Sequence, residues 1–207
     1  MKRWNEGAFF WAGLVLAGNV MFLYGTMVMP AGPLTWPAVP TLLAGMFPWT
    51  GLLLKSCKDG VSESRTEDLR RNLCLLLWGV TAVAVSGLYY EQRVPVLALG
   101  FPAFAYLTGW NIDRMLREEV GHFAGWAGVT VLTCIVAAAG CVLFVQNSPD
   151  LFLGGLVLGL VILMMGAGIG IALLYYRDGM LAAWLHVATG ALVMFILFFF
   201  LLPLAKG

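Results

Sequence analysis

His186 is the sharpest candidate for chemistry in this chain. It is the one imidazole inside a long apolar stretch, Trp184-Leu185-His186-Val187-Ala188-Thr189-Gly190. An ionisable side chain at membrane depth is costly to hold there, which makes it a functional candidate by default. Gly190, four residues on, opens a gap in the helix surface beside the ring. That arrangement suits an axial haem ligand, because the flat macrocycle must come close to the helix. A quinone headgroup contact is the second chemistry the same ring offers. His122 is the only other histidine that could share a haem, and its shallower position strains that pairing. The plain alternative is a neutral histidine bonded to a neighbouring carbonyl.

Asn19 lies near the centre of the first apolar stretch, where its amide cannot be satisfied by its own helix. It is expected to bond across to a neighbouring helix, or else to meet a ligand or ion. Thr81, Ser86, Thr108, Thr130, Thr133 and Thr189 need no such partner, since a hydroxyl can return a bond to its own helix.

No catalytic constellation is expected. The bilayer interior holds no carboxylate pair, no serine–histidine pair and no ligand cluster. Glu118 and His122 stand one helical turn apart, but a zinc site needs at least one further ligand, so no metal site is assigned. The four cysteines show no CxxC spacing. Cys57 falls in a charged loop. Cys134 and Cys141 are seven apart and share a helix face, as small packing residues or, more sharply, as a redox pair.

The elements that carry these residues follow from charge. All 23 charged side chains (12 Lys/Arg and 11 Asp/Glu) lie outside the long apolar runs of this 207-residue chain. Apolar residues make up 61%, and the mean hydropathy is +0.89. In lipid the backbone must bond internally, and continuous rather than alternating apolar runs select helices over a barrel. The expected fold is therefore an all-α membrane protein, one polytopic domain over 1–207 with seven transmembrane helices near 8–29, 37–54, 73–90, 94–110, 123–145, 151–176 and 181–203. The fourth carries Pro95 and Pro102, so a kinked or re-entrant segment is its alternative. The first is too long for a cleaved signal peptide.

With the N-terminus inside, the cytoplasmic side holds ten Lys/Arg and the outer side only Arg93 and Lys206, which reads as N-in and C-out. A bacterial inner membrane is the expected location. The net charge of +1 gives no reason to expect nucleic acid. Trp4, Trp11, Trp36, Trp49, Trp110, Tyr89, Tyr90, Tyr175 and Tyr176 fall near the expected interfaces, as an aromatic belt would.

The outer loops are short, and two cytoplasmic loops carry content. In Lys55–Asn72, Ser64 and Glu67 have capping-box spacing, and Arg70 and Arg71 read as anchors at the lipid phosphates. In Asn111–Gly121, Asp113/Arg117 and Arg114/Glu118 are opposite charges at i,i+4, with Ile112, Met115, Leu116 and Val120 opposite them. That pattern describes a surface helix or a docking face.

Gly121/Gly125, Gly155/Gly159 and Gly166/Gly170 have GxxxG spacing, which lets helix backbones approach closely and places the sixth helix centrally or at a subunit contact. Trp11-Ala12-Gly13 recurs as Trp126-Ala127-Gly128, and Asp59-Gly60 as Asp178-Gly179, at offsets of 115 and 119. These matches would make a 3+1+3 parallel repeat.

The function expected from this pattern is a non-catalytic subunit of a larger inner-membrane complex, haem- or quinone-linked. It would associate with the bilayer and with other membrane subunits or copies of itself. The alternative is a small facilitative transporter for a neutral or apolar solute.

Overall fold

The computed structural model describes residues 6–28, 38–62, 66–88, 93–118, 123–145 and 149–201, in which the regular secondary structure is helical, joined by short turns, with no strand. The helices are α1 (Glu6–Val28), α2 (Ala38–Gly45), α3 (Thr50–Val61), α4 (Thr66–Leu88), α5 (Arg93–Ala98), α6 (Phe101–Glu118), α7 (Phe123–Val145), α8 (Pro149–Leu174) and α9 (Gly179–Ile196). A π-helical turn, Leu197–Leu201, prolongs α9. Among the described residues, four helical stretches are long and apolar enough to cross a membrane: Asp68–Leu88, Phe123–Leu143, Leu151–Leu174 and Gly179–Phe200. The chain is an all-helical integral membrane protein.

Its helices cluster into two compact units, residues 1–117 and 118–207. In the first unit, two stretches expected as continuous spans are broken. The helix expected over 37–54 stops at Gly45 and restarts at Thr50. Pro48 has no N–H to donate to Ala44 O, and that carbonyl instead receives the N–H of Phe47 at 3.1 Å. Thr50 Oγ1 donates back to Leu43 O at 2.6 Å, tying the two halves together. The stretch expected over 94–110 breaks at Leu99–Gly100, whose N–H groups reach the carbonyls of Val96 and Leu97. Pro102 sits in the first turn of α6, where a missing N–H costs nothing.

Beyond that break, α6 runs on to Glu118, so residues 111–118 are its last turns and not a separate surface helix. Asn111, Ile112, Asp113 and Met115 are buried, so the proposed docking face is interior. The Asp113–Arg117 pair forms as two bonds, 3.0 and 3.2 Å long. Glu118's side chain, Val120 and the Ser64 capping position lie outside the described residues.

Close helix approach organises this unit. A Cβ on Gly109 would lie 2.5 Å from Ala12 N and 2.6 Å from Ala8 O, so α6 touches the backbone of α1 there. Gly79 of α4 accepts the flat ring of Phe104 from α6. Trp11, Trp49 and Trp110 are buried and do not belong to an interfacial belt. Tyr175 and Tyr176 are exposed and meet edge to face at 5.1 Å, while Trp4, Trp36, Tyr89 and Tyr90 lie outside the described residues.

The second unit is simpler. α8 packs against both α7 and α9. Asp178 caps α9 by accepting the N–H of Leu181 at 2.8 Å.

Candidate functional site

In the second unit the chemistry gathers where α7 meets α9. His186, Thr130 and Thr189 are fully or almost fully buried, and so is Trp126. Nδ1 of His186 lies 2.9 Å from Ala182 O, one turn back on the same helix. A carbonyl only accepts, so Nδ1 carries the proton. Nε2 is then the acceptor, and the Thr130 hydroxyl donates to it at 3.2 Å. Both ring nitrogens are thus engaged by the protein, which suits a neutral imidazole of fixed orientation. The Trp126 ring lies against the imidazole, with centroids 5.8 Å apart and planes at 38°. Its indole N–H is buried and has no hydrogen-bond partner among the described residues. A buried donor left unmet costs about 1–3 kcal/mol, so this nitrogen is the site's open valence.

His122 lies outside the described residues, so its geometry relative to His186 is not part of the picture. The described residues contain no cluster of three or more His, Cys, Asp or Glu able to hold a metal. Cys134 and Cys141 are both free thiols on α7.

The glycines of α8 have distinct surroundings. A Cβ on Gly166 would lie 2.7 Å from Cys134 Cβ and 2.8 Å from its Sγ. On Gly159 it would lie 3.3 Å from Ala138 O, and on Gly170 3.3 Å from Val131 Cγ2. All three therefore face α7. Gly155 is buried, whereas Gly168 faces open space. Gly121 lies outside the described residues.

In the first unit, Asn19 is buried and donates from Nδ2 to Met46 Sδ at 3.3 Å. Its partner belongs to the turn that breaks α2 from α3. A second polar group was not visible in the sequence, because its members lie in stretches that read as loops. Ser56 of α3, Asn72 of α4 and Asn111 of α6 are all buried. Asn111 Nδ2 donates to Ser56 Oγ at 3.1 Å, and Ser56 donates on to Leu52 O at 2.6 Å. Asn72 sits against Gly60, one turn beyond Ser56 on the same face. Its Oδ1 accepts from Arg71 Nη2 at 3.3 Å. Arg71 also pairs with Asp68 at 3.2 Å and lies over the rings of Tyr106 and Trp110. The one signal in sequence was Ser56 and Gly60, two small residues four apart in a charged stretch.

Cys57 lies beside this group, and burial pushes its thiol up to about 11. It is an inert packing residue at neutral pH.

The chain matches no known protein-family model, no curated protein and no solved structure.

Proposed function

We propose that this chain is a non-catalytic, membrane-embedded subunit of a larger bacterial inner-membrane complex, linked to a quinone through the Trp126–Thr130–His186 site. The observation that carries this reading is the unmet indole N–H of Trp126, held beside an imidazole whose own nitrogens are occupied. A donor without a partner in an apolar, aromatic setting suits a quinone carbonyl, which accepts one bond and brings a flat ring. Haem ligation asks more of the site, since iron would need the Nε2 lone pair that Thr130 occupies.

The proposed topology has seven crossings, N-in and C-out. The four apolar stretches are joined by α1, by the α2/α3 pair and by the α5/α6 pair. A 3+1+3 repeat is part of the same proposal. Buried Ala8, Trp11, Val15 and Asn19 of α1 correspond, at the constant offset of 115, to buried Phe123, Trp126, Thr130 and Cys134 of α7. Asp59-Gly60 and Asp178-Gly179 lend no support, because the first pair lies inside α3 and the second begins α9.

A facilitative transporter for a neutral solute is the second reading. Two broken helices in one unit favour it, since transporter sites are built at such breaks.

Purification from native membranes tests the choice. The complex reading expects co-purifying subunits and a quinone-dependent activity that Trp126→Phe removes. A homo-oligomer without quinone dependence, stabilised by a neutral solute, would replace that reading with the transporter. A cytoplasm-active reporter should work after Lys58 or Arg117 and stay silent after Gly207.

A further inference from the structure

We propose that the amide-lined junction of α3, α4 and α6 is a binding site for an uncharged carbonyl oxygen. This inference stands apart from the quinone reading and involves only the first unit.

The side chain of Asn72 is fully buried, yet its Nδ2 has no hydrogen-bond partner among the described residues. Arg71 Nε, held beside it through the Nη2–Oδ1 bond, is buried and equally without one. Two adjacent unmet donors are unusual in a folded interior, where most buried polar groups are paired. Both groups donate, so what completes them is an acceptor. Asn111 and Ser56 bond to each other, and Ser56 donates on to Leu52 O, rather than meeting these two donors.

Charge selects the kind of acceptor. The ion pairs on these helices are internal: Lys55 with Asp59, Arg71 with Asp68 and Arg117 with Asp113. Arg71, the cation beside the amide, is already paired with Asp68 at 3.2 Å, so a bound anion would have to compete with that carboxylate, and burying an uncompensated charge is costly. A carbonyl oxygen supplies two lone pairs without charge.

Gly60 makes room for it. Its missing side chain leaves a notch the size of one methyl group or one oxygen beside Asn72, where a Cβ would make ordinary contact at 3.4 Å from Asn72 Cβ and 3.7 Å from Nδ2. The oxygen has two sources. One is a small dissolved amide or ketone. The other is the ester carbonyl of a phospholipid, because Asn72 lies four residues after Asp68, the start of the apolar stretch. At about 1.5 Å per residue that is about 6 Å inward, within the interfacial layer of a bilayer.

The test uses the purified full chain and its thermal midpoint. One arm compares nanodiscs of diester phosphatidylcholine with nanodiscs of the diether lipid, which lacks the carbonyls. The other adds acetamide, or acetate as its charged counterpart, to the protein in detergent. The wild type should be more stable in diester than in diether lipid if lipid is the source. It should be stabilised saturably by acetamide and not by acetate if a solute is. Either gain should vanish in Asn72→Leu, and also in Gly60→Ala, whose methyl makes ordinary contacts and so preserves the fold should Asn72→Leu fail to assemble.

Stabilisation by acetate instead would overturn the assignment to a neutral ligand. A gain that persists in both variants, or none in either arm, would show that the amide holds only water or nothing.

Discussion

Replacing Gly166 by alanine is the most direct test of how α7 and α8 are joined. The added methyl would stand 2.7 Å from Cys134 Cβ and 2.8 Å from its Sγ, whereas ordinary contact begins near 3.4 Å. The helices must therefore separate by up to about 3.4 − 2.7 = 0.7 Å at that level to regain ordinary contact, since a Cβ cannot rotate out of the way. A gap of about 0.5–1 Å forfeits a quarter to a half of each neighbouring dispersion contact. Overpacking of this kind typically costs about 1–3 kcal/mol. The offsetting gain in helix propensity from glycine to alanine is about 1 kcal/mol at most. A net loss of about 1–2 kcal/mol is expected. Cys134→Gly removes both atoms that clash, so the double variant should recover part of that loss. Denaturant unfolding in a fixed detergent, on all four members of the cycle, measures the coupling. A favourable coupling of about 0.5–3 kcal/mol is the range for residues in contact. Additive effects, or a Gly166→Ala protein as stable as wild type, would refute the close approach.

Three further expectations follow from the same geometry. Gly109→Ala would push a methyl into the backbone of α1 and should destabilise by about 3 kcal/mol or more, whereas Gly18→Ala, with nothing within 4 Å, should be neutral or slightly stabilising in the same unfolding assay. Thr130→Val should strand His186 Nε2 without its donor and cost about 1–3 kcal/mol; unchanged stability would mean that the 3.2 Å bond contributes nothing. Cys57, with its thiol raised from 9.0 to about 11, should alkylate at pH 8 about 100-fold more slowly than an unshifted thiol, as two pKa units imply. Because the folded state holds that proton more tightly, its contribution to stability is complete below pH 9.0 and falls as pH climbs towards about 11; a flat stability profile across that window would contradict the burial.

The sequence by itself determined the helical class and the lipid setting. Long apolar runs leave the backbone no partner except itself in lipid, and Phe123–Leu143, Leu151–Leu174 and Gly179–Phe200, free of charge throughout, and Asp68–Leu88, charged only in its first turn, carry that property in their composition alone. Local spacing also sufficed for the Asp113–Arg117 pair, whose geometry depends on one helical turn. What composition could not decide was whether an apolar stretch runs through. Pro48 and Pro102 are compatible with a kink or a break, and only the bonds available to neighbouring carbonyls chose the break.

Burial was beyond the sequence for the same reason. Trp11, Trp49 and Trp110 have the positions of a lipid belt, yet packing turned them inward. The amide junction shows the limit most clearly. Ser56, Asn72 and Asn111 are separated by long stretches of chain and read as loop residues. Their hydrogen-bonding environment came into being only when three helices enclosed them, because burial is a property of neighbours in space and not of residue type. The same holds for Trp126, which the sequence marks only through the Trp-Ala-Gly recurrence, and whose N–H tertiary packing leaves without an acceptor among the described residues.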